Sequence, residues 1–260
     1  MINVLFIGDV FGSPGRSFLK ERLPGLMDRY DAHFVVVNCE NAAGGAGLTH
    51  DVAAELFAMG VDAMTSGNHI WDKKEIYPLL DADKRILRPA NFPPGVPGKG
   101  SGVFHSRSGQ QVGVISVCGR VYSPQDLDCP FRTLDAEIAK LRLTTPFIIV
   151  DFHAEATSEK IAAGYYVDGR VSAFFGTHTH VQTADETILP GGTAYITDAG
   201  MTGSYEGVIG VEKEIILKRF LTQMPVRHEP AEGKRQLCGV ACSLDSRGRA
   251  QHIERFRVLE

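Results

Sequence analysis

The stretch that decides the fold is Val171-Ser172-Ala173-Phe174-Phe175-Gly176-Thr177-His178-Thr179-His180. Its first half is a short apolar run, which predicts a buried strand, and its second half places two histidines just past that strand. Four other apolar runs have the same form, since Asp, Glu, Asn or His follows each of them. These runs are Ile2 to Ile7, Phe34 to Val37, Val61 to Met64 and Phe147 to Val150. Their lack of alternation predicts sheet strands that are covered on both faces.

Helical patterns separate the strands along the chain. They are Arg16 to Arg29, Asp51 to Met59, Lys73 to Leu80, Leu134 to Leu141, Ser158 to Tyr165 and Glu214 to Leu221. Two hairpins are also predicted, one with its turn at Ser108-Gly109 and one with its turn around Asp245 to Gly248. This order predicts one α/β domain over residues 1–260, either a sandwich of two mixed sheets flanked by helices or a single open sheet. The Pro/Gly-rich stretch from Pro89 to Gly102 predicts a long loop or the edge of a small cap.

The composition is that of an ordinary globular protein, with 260 residues, 43% of them hydrophobic, and a formal net charge of −4. This charge provides no basic surface for a membrane or for stable DNA binding, but it is compatible with a small anionic substrate held by metal ions. The apolar run at the N-terminus lacks a basic flank and is too short for a signal peptide or a membrane span. The five cysteines are irregularly spaced, which predicts reduced thiols in a cytoplasmic protein rather than a zinc site at Cys238 and Cys242.

Residues that can bind metal ions follow all five predicted strands. They are Asp9, Glu40, Asn41, Asn68, His69, His153, His178 and His180. Because ligands bind at the carboxyl ends of strands in α/β sheets, these side chains are expected to converge. His178 and His180 are two residues apart, and in an extended segment both side chains would leave the same face. A carboxylate such as Glu40 could bridge two metal ions, which would clamp a phosphate and activate water.

Three motifs resemble those of the calcineurin-like metallophosphoesterase superfamily: Gly8-Asp9, Gly67-Asn68-His69 and Gly176-Thr177-His178-Thr179-His180. The chain departs from that pattern at Phe11, where a histidine is usual, and at Asn38-Cys39-Glu40-Asn41, where Gly-Asp-x-x-Asp is usual. Both departures resemble the YmdB-like branch of bacterial metallophosphoesterases. The tract from Asp151 to Lys160 is also similar to that branch, and the resemblance extends over nearly the whole chain.

The resemblance implies a role for each motif residue. Asp9, Glu40, Asn41 and His180 would hold a first metal ion, and Glu40, Asn68, His153 and His178 a second. His69 would stay off the metals and protonate the leaving group, while a metal-activated hydroxide attacks phosphorus. The family uses iron or manganese and folds as a β-sandwich between helical layers with a small cap. The implied substrates are small phosphodiesters, foremost 2′,3′-cyclic nucleotides, with 3′,5′-cyclic nucleotides as a second option.

Other functions stay open at this stage. A phosphomonoesterase or nucleotidase would use the same metal site. A regulatory protein could keep the metal fold and act by holding a nucleotide, an RNA or a partner, although the complete ligand set together with His69 favours an enzyme. Asp198 to Gly203 could form either a phosphate-binding nest of main-chain amides or a tight turn. The sequence also leaves a homo-oligomer open.

Overall fold

The structure is a computed structural model that describes residues 1–260. The strands are β1 (Ile2–Ile7), β2 (Asp9–Val10), β3 (Phe34–Asn38), β4 (Ala63–Thr65), β5 (Ser101–His105), β6 (Gln111–Cys118), β7 (Phe147–His153), β8 (Ala173–Thr177), β9 (Thr187–Ile188), β10 (Ala194–Ile196), β11 (Met201–Ser204), β12 (Arg235–Leu244) and β13 (Ala250–Leu259). The helices are α1 (Gly12–Arg29), α2 (His50–Ala58), α3 (Ile76–Ala82), α4 (Pro130–Arg142), α5 (Thr157–Val167) and α6 (Lys213–Thr222), with a 3₁₀ helix at Asn68–Trp71.

The strands form two mixed sheets. The first has the order β2-β11-β12-β1-β3-β4, with β13 also paired to β12, and the second has the order β5-β6-β7-β8-β10-β9. Strands β1, β3 and β4 are parallel in the first sheet, and β6, β7, β8 and β10 are parallel in the second. Antiparallel pairs make both sheets mixed, since β12 runs antiparallel to β1 and β5 runs antiparallel to β6. The predicted sandwich is therefore confirmed, and the alternative of a single open sheet is wrong.

Alternate side chains of the central strands fill different layers of the core. Phe6 and Phe175 meet between the two sheets with ring centroids 5.1 Å apart, in a buried cluster that also contains residues of β3, β6 and β7. Leu5, one residue earlier on β1, points to the opposite face and packs with apolar residues of α1 and α2. On β8, Phe174 likewise points away from the other sheet and packs with apolar residues of α4 and α5, which cover the second sheet. Four layers follow, helices, sheet, sheet and helices, and this explains why the strands are apolar on both faces.

All six predicted helices and both predicted hairpins are present, with ends that differ by a few residues. Helix α1 begins at Gly12 instead of Arg16, because proline is tolerated in the first helical turn and Pro14 lies there. It continues past Pro24, which lies in its interior. The short strands β2, β9, β10 and β11 were not predicted, since runs of two to four residues carry no usable periodicity.

Two long segments lie outside the sheets. The predicted loop from Pro89 to Gly102 is confirmed up to residue 100, where β5 begins at Ser101. A second irregular segment, residues 205–234, carries α6 and borders the cavity described below. No helix of the structure combines the length and the apolar character that crossing a membrane would require.

Candidate active site

The residues singled out from the sequence meet where parallel strands of both sheets end. Asp9 lies on β2, Glu40 and Asn41 follow β3, and Asn68 opens the 3₁₀ helix after β4. From the second sheet, His153 is the last residue of β7, and His178 and His180 follow β8. Ligand-type side chains from two separate sheets therefore face one another across the end of the sandwich.

Four side-chain atoms surround one point beside His153. Nε2 of His153 lies 3.1 Å from Oε1 of Glu40, 3.1 Å from Oδ1 of Asn68 and 3.0 Å from Nδ1 of His178. The ligand atoms of Glu40, His153 and His178 all lie within 4.8 Å of one another. One carboxylate oxygen, one amide oxygen and two imidazole nitrogens at this spacing are a donor set that suits a divalent metal ion.

A second group of candidate ligands also meets Oε1 of Glu40. Nδ2 of Asn41 is 3.0 Å from Oε1 of Glu40 and 3.2 Å from Nε2 of His180. Oδ1 of Asp9 is 3.9 Å from Nε2 of His180, is fully buried and has no hydrogen-bond partner. A buried carboxylate oxygen without a donor is costly, and a cation bound between these groups would satisfy it. Asn41 presents its amide nitrogen here, so ligation through its oxygen requires the amide to turn over.

Each of the three imidazoles is oriented by a hydrogen bond to its outer nitrogen. Nδ1 of His153 lies 2.9 Å from Oγ1 of Thr177, Nε2 of His178 lies 3.0 Å from Oε2 of Glu155, and Nδ1 of His180 lies 2.8 Å from the carbonyl oxygen of Ile209. Acceptors at these positions place a proton on the outer nitrogen and turn the inner nitrogen, with its lone pair, toward the cluster. This second layer of contacts is typical of metal-binding histidines.

The buried carboxylate of Asp151 supports the Thr177 contact. Oγ1 of Thr177 donates to Asp151 at 2.6 Å, and Nδ2 of Asn38 donates to the same carboxylate at 2.9 Å. Oδ1 of Asn38 in turn accepts from the main-chain N–H of Glu40 at 3.2 Å. This chain of bonds connects the His153 ring in one sheet to the Glu40 backbone in the other.

The expectation that His178 and His180 lie in an extended segment is wrong. Strand β8 ends at Thr177, and both histidines have positive φ angles, 99° for His178 and 65° for His180. Their side chains reach neighbouring parts of the cluster because the main chain turns. A left-handed conformation costs a non-glycine residue about 1–3 kcal/mol, so the surrounding structure must hold it in place.

A buried ion pair holds this turn. Nζ of Lys160 lies 2.7 Å from Oδ2 of Asp198, and both side chains are almost completely buried. The same carboxylate accepts from the main-chain N–H of Thr179 at 3.1 Å and from its hydroxyl at 2.7 Å. Its other oxygen accepts from the N–H of Gly200 at 2.8 Å. The nest considered for Asp198 to Gly203 is therefore wrong, because the N–H groups of Ala199 and Gly200 are bonded within the protein.

Lys160→Met is expected to destabilise the protein by about 3–5 kcal/mol, because it leaves the Asp198 carboxylate buried without a counter-charge. Urea denaturation of the variant measures the loss in the free energy of unfolding. The double variant Lys160→Met/Asp198→Asn removes that charge and should recover part of the loss. A single variant as stable as the unmodified protein would contradict the role of this pair.

Burial and mutual contacts shift the pKa values of the cluster in opposite directions. Burial raises the pKa of Asp9 to about 6 and acts in the same direction on Glu40, but contacts with His153 and the N–H of His69 outweigh it and bring the pKa of Glu40 down to about 2. Burial lowers the pKa of His153, yet Glu40 and Asp9 raise it to about 9. Burial and the charge of His153 lower the pKa of His178 to about 3.

His69 stands at the edge of the cluster, with an accessible ring. Its Nδ1 lies 2.8 Å from Oδ2 of Asp72, its main-chain N–H donates to Oε2 of Glu40 at 3.2 Å, and its side chain is 39% exposed. None of its ring contacts is to Asp9, Asn41 or the three clustered histidines. The ring lines a cavity of about 620 Å³ together with Glu40, Asn41 and His180.

The far wall of that cavity comes from residues 205–234. Val208, Ile209, Ile216, Arg219 and Phe220 line it, and Phe220 is 69% exposed. Phe11, which stands where the superfamily has a histidine, packs in a small apolar cluster with residues such as Met201 and Val211. Its ring meets that of His180 edge to face, with centroids 5.6 Å apart.

Sequence reasoning brought together all seven metal-ligand candidates but missed the residues behind them. Glu155 and Asp151 were quoted only as parts of a motif, and Asp198 only as part of a turn. The main-chain carbonyl of Ile209, which contacts His180, cannot be predicted from side-chain patterns. Lys160 is fully buried, and lysine almost never is without a partner, but its burial is visible only in the structure and so gave no signal in the sequence.

Residues 5–256 match the sequence family described as YmdB-like protein. A Bacillus subtilis (strain 168) protein named 2′,3′-cyclic-nucleotide 2′-phosphodiesterase is 52% identical, over 99% of this chain and 97% of that protein. A solved structure of a hypothetical protein from Thermus thermophilus has a TM-score of 0.93 at 43% identity and covers both chains completely. A structure described as a novel phosphatase from Mycoplasma pneumoniae has a TM-score of 0.93 at 36% identity, over 99% of this chain and 93% of its own.

Proposed function

Because this chain belongs to the YmdB-like protein family, we propose that it is a two-metal phosphodiesterase that hydrolyses small phosphodiesters, in particular 2′,3′-cyclic nucleotides. The observation that carries the proposal is the convergence of Glu40, Asn68, His153 and His178 within hydrogen-bond distance of one point. The relative from Bacillus subtilis supports the substrate class through its name and through its similarity over the whole chain.

We assign two metal ions to the cluster. Asp9, Glu40, Asn41 and His180 would hold one ion, and Glu40, Asn68, His153 and His178 the other, with Glu40 shared. The unpartnered buried oxygen of Asp9 supports the first site, and the three oriented imidazoles support both. The aspartate, the glutamate and the two asparagines can each offer an oxygen donor, a chemistry that favours iron or manganese over softer ions. When bound, the ions would activate a water molecule and offset the charge of the phosphate.

The protein's own residues orient the substrate and supply the proton that the leaving group needs. Asp72 fixes the ring of His69 through Nδ1, which leaves Nε2 to deliver a proton into the cavity. A departing ribose oxygen is a poor leaving group without a proton, so general acid catalysis fits this position. The Lys160–Asp198 pair and the Thr177 hydroxyl keep the neighbouring imidazoles from moving during the reaction.

The cavity supports a small substrate rather than a long polyanion. Its volume of about 620 Å³ lies in the range of small-molecule sites, and its outer wall is apolar where Val208, Ile209 and Phe220 are exposed. A nucleobase can stack on such a wall while the phosphate faces the cluster. We propose that residues 205–234 act as a small cap within a single domain. The five cysteines are free thiols, which supports a reducing, cytoplasmic setting.

Metal-dependent turnover tests the proposal directly. Purified protein loaded with manganese or iron should hydrolyse 2′,3′-cyclic AMP much faster than the monoesters 2′-AMP, 3′-AMP and 5′-AMP, and chelation should abolish the activity. Faster release of phosphate from the monoesters would instead support a phosphomonoesterase. Tight nucleotide binding without turnover under any metal would support a regulatory binding protein.

Phe220→Ala is expected to raise KM for 2′,3′-cyclic AMP about tenfold, because stacking of a base on an aromatic ring contributes about 1–3 kcal/mol. The kcat for bis-nitrophenyl phosphate, which has no nucleobase, should change little. Leu221→Ala is the matched control, since Leu221 is the next residue, is 84% exposed and does not line the cavity. Equal effects of the two variants on KM would argue against base stacking at Phe220.

A further inference from the structure

A second cavity, of about 510 Å³, lies at the opposite strand ends from the candidate active site. The C-terminal half of α4, the turns before β8 and β10 and the turn between β12 and β13 form it, whereas most candidate metal ligands lie at or just after the carboxyl ends of β3, β4, β7 and β8. Four arginines line this second cavity: Arg142, Arg170, Arg247 and Arg249. Four guanidinium groups at one depression stand out in a chain whose formal net charge is −4.

Three of these positive charges have no carboxylate partner. Arg170 is paired with Asp135, but Arg142 donates only to main-chain oxygens, and the side chains of Arg247 and Arg249 take part in no ion pair or hydrogen bond within the protein. The nearby carboxylate of Asp245 accepts from the main-chain N–H groups of Arg247 and Arg249, at 2.9 and 3.0 Å. The Asp168 carboxylate also lies close to the cavity, where it accepts from the N–H of Gly191 at 2.6 Å. The cavity therefore has four guanidinium groups, three of them without an ion-pair partner, and the carboxylates near it offset only part of their charge.

Part of this surface is already fixed in position. Nε and Nη2 of Arg142 donate to the carbonyl oxygen of Arg170, at 3.1 and 2.8 Å, and Nη1 donates to that of Pro146 at 3.2 Å. A guanidinium has five N–H groups, so two remain free. A guanidinium held in this way loses little freedom when it binds an anion, which favours affinity.

Glycines open the cavity to a ligand. Gly169, Gly191, Gly192 and Gly248 line it, so part of its surface is main chain, and the rest comes from the four arginines and from Ile138, Ala139 and Val171. The side chain of Arg249 passes over Gly192, where a Cβ would lie 3.5 Å from the Cβ and Cγ of Arg249. These glycines leave room for a compact anion beside the guanidinium groups.

We propose that this arginine cavity binds a phosphomonoester dianion, supplied either as inorganic phosphate or as a nucleoside monophosphate. Guanidinium groups match the geometry of phosphate oxygens and bind them through paired hydrogen bonds. The cavity has the volume of a small-molecule site, and the chain lacks the extended basic surface that a long nucleic acid requires. The site is separate from the proposed phosphodiesterase centre and does not depend on that proposal.

Isothermal titration calorimetry on the metal-loaded protein tests this, with inorganic phosphate in one series and 5′-AMP in another. Two binding events are expected, one at the metal centre, which Glu40→Gln should remove, and one at the arginine cavity. Arg247→Ala/Arg249→Ala should weaken the second event on the order of 10- to 100-fold and leave the turnover of bis-nitrophenyl phosphate unchanged. The control Arg22→Ala/Arg132→Ala removes two other exposed arginines that line neither cavity and form no ion pair, and it should keep both events.

The two series identify the source of the phosphate group. Equal affinity for phosphate and 5′-AMP would assign the site to the phosphate group alone, and tighter binding of 5′-AMP would assign it to a nucleotide. Unchanged binding in Arg247→Ala/Arg249→Ala would overturn the proposal. So would a single-stranded oligonucleotide that binds more tightly than 5′-AMP and loses this advantage in the double variant, because the arginines would then belong to a surface for nucleic acid.

Discussion

Glu40→Gln should lower kcat/KM for 2′,3′-cyclic AMP on the order of 10³-fold. The carboxylate contacts both halves of the cluster at hydrogen-bond distance, through His153 at 3.1 Å and through Asn41 at 3.0 Å. Glutamine keeps the size but removes the negative charge that two metal ions would share. A loss of several kcal/mol in transition-state stabilisation corresponds to about three powers of ten in rate.

Metal content and thermal stability distinguish a loss of metal binding in Glu40→Gln from a folding defect. Elemental analysis of the Glu40→Gln variant should show less than two ions per chain. Added manganese should raise the Tm of the unmodified protein more than that of the variant, because a ligand that binds only the folded state stabilises it by mass action. Full activity together with an unchanged metal content would contradict the assignment of Glu40 as the shared ligand.

His69→Ala should discriminate between substrates according to their leaving groups. The variant is expected to keep both metal ions and to lose about 10²–10⁴-fold in kcat on 2′,3′-cyclic AMP, because general acid catalysis contributes that much. The loss on bis-nitrophenyl phosphate should be much smaller, since nitrophenolate departs without a proton. The measurement is metal stoichiometry and kcat for both substrates in the same preparation.

Asp72→Asn provides a companion to this variant. Asp72 contacts Nδ1 of His69 at 2.8 Å and is not a candidate metal ligand, so its replacement should disturb the orientation of His69 without removing the acid. The loss in kcat on 2′,3′-cyclic AMP is therefore expected to be smaller than in His69→Ala, and it should again exceed the loss on bis-nitrophenyl phosphate. If His69→Ala loses metal, or slows both substrates equally, His69 is a ligand or a positioning residue instead.

The sequence placed the candidate ligands at one end of the sheets because each follows a recognisable strand. Parallel strands place their carboxyl ends together, so Asp9, Glu40 and His153 are expected at the same edge of the sheets from the sequence alone. Oxygen and nitrogen ligand types then indicated the chemistry. The sequence predicted an α/β fold but did not distinguish a sandwich of two sheets from a single open sheet. Strands that are apolar on both faces occur in both architectures.

The remaining features depend on contacts between residues far apart in sequence. Asn38 bonds to Asp151 across 113 positions, and no local pattern connects the two. The left-handed turns at His178 and His180 were not predicted, because histidine rarely adopts such φ values and the partner that holds the turn, Asp198, lies 19 residues after Thr179. Sequence reasoning fails here because tertiary contacts override the local preference for an extended chain.

The division of the ligands between two sheets has a consequence for how the protein is made. Strand β1 pairs with β3 on one side and with β12, residues 235–244, on the other, so the first sheet is completed only when nearly the whole chain has left the ribosome. Asp9 and Glu40 are synthesised early, yet their partners in the second sheet arrive more than a hundred residues later. Contacts of such long range close slowly and are populated late in folding. If the chain binds the proposed pair of metal ions, their capture would belong to the final steps of biogenesis, and a truncated chain would carry isolated carboxylates without the histidines that complete the cluster.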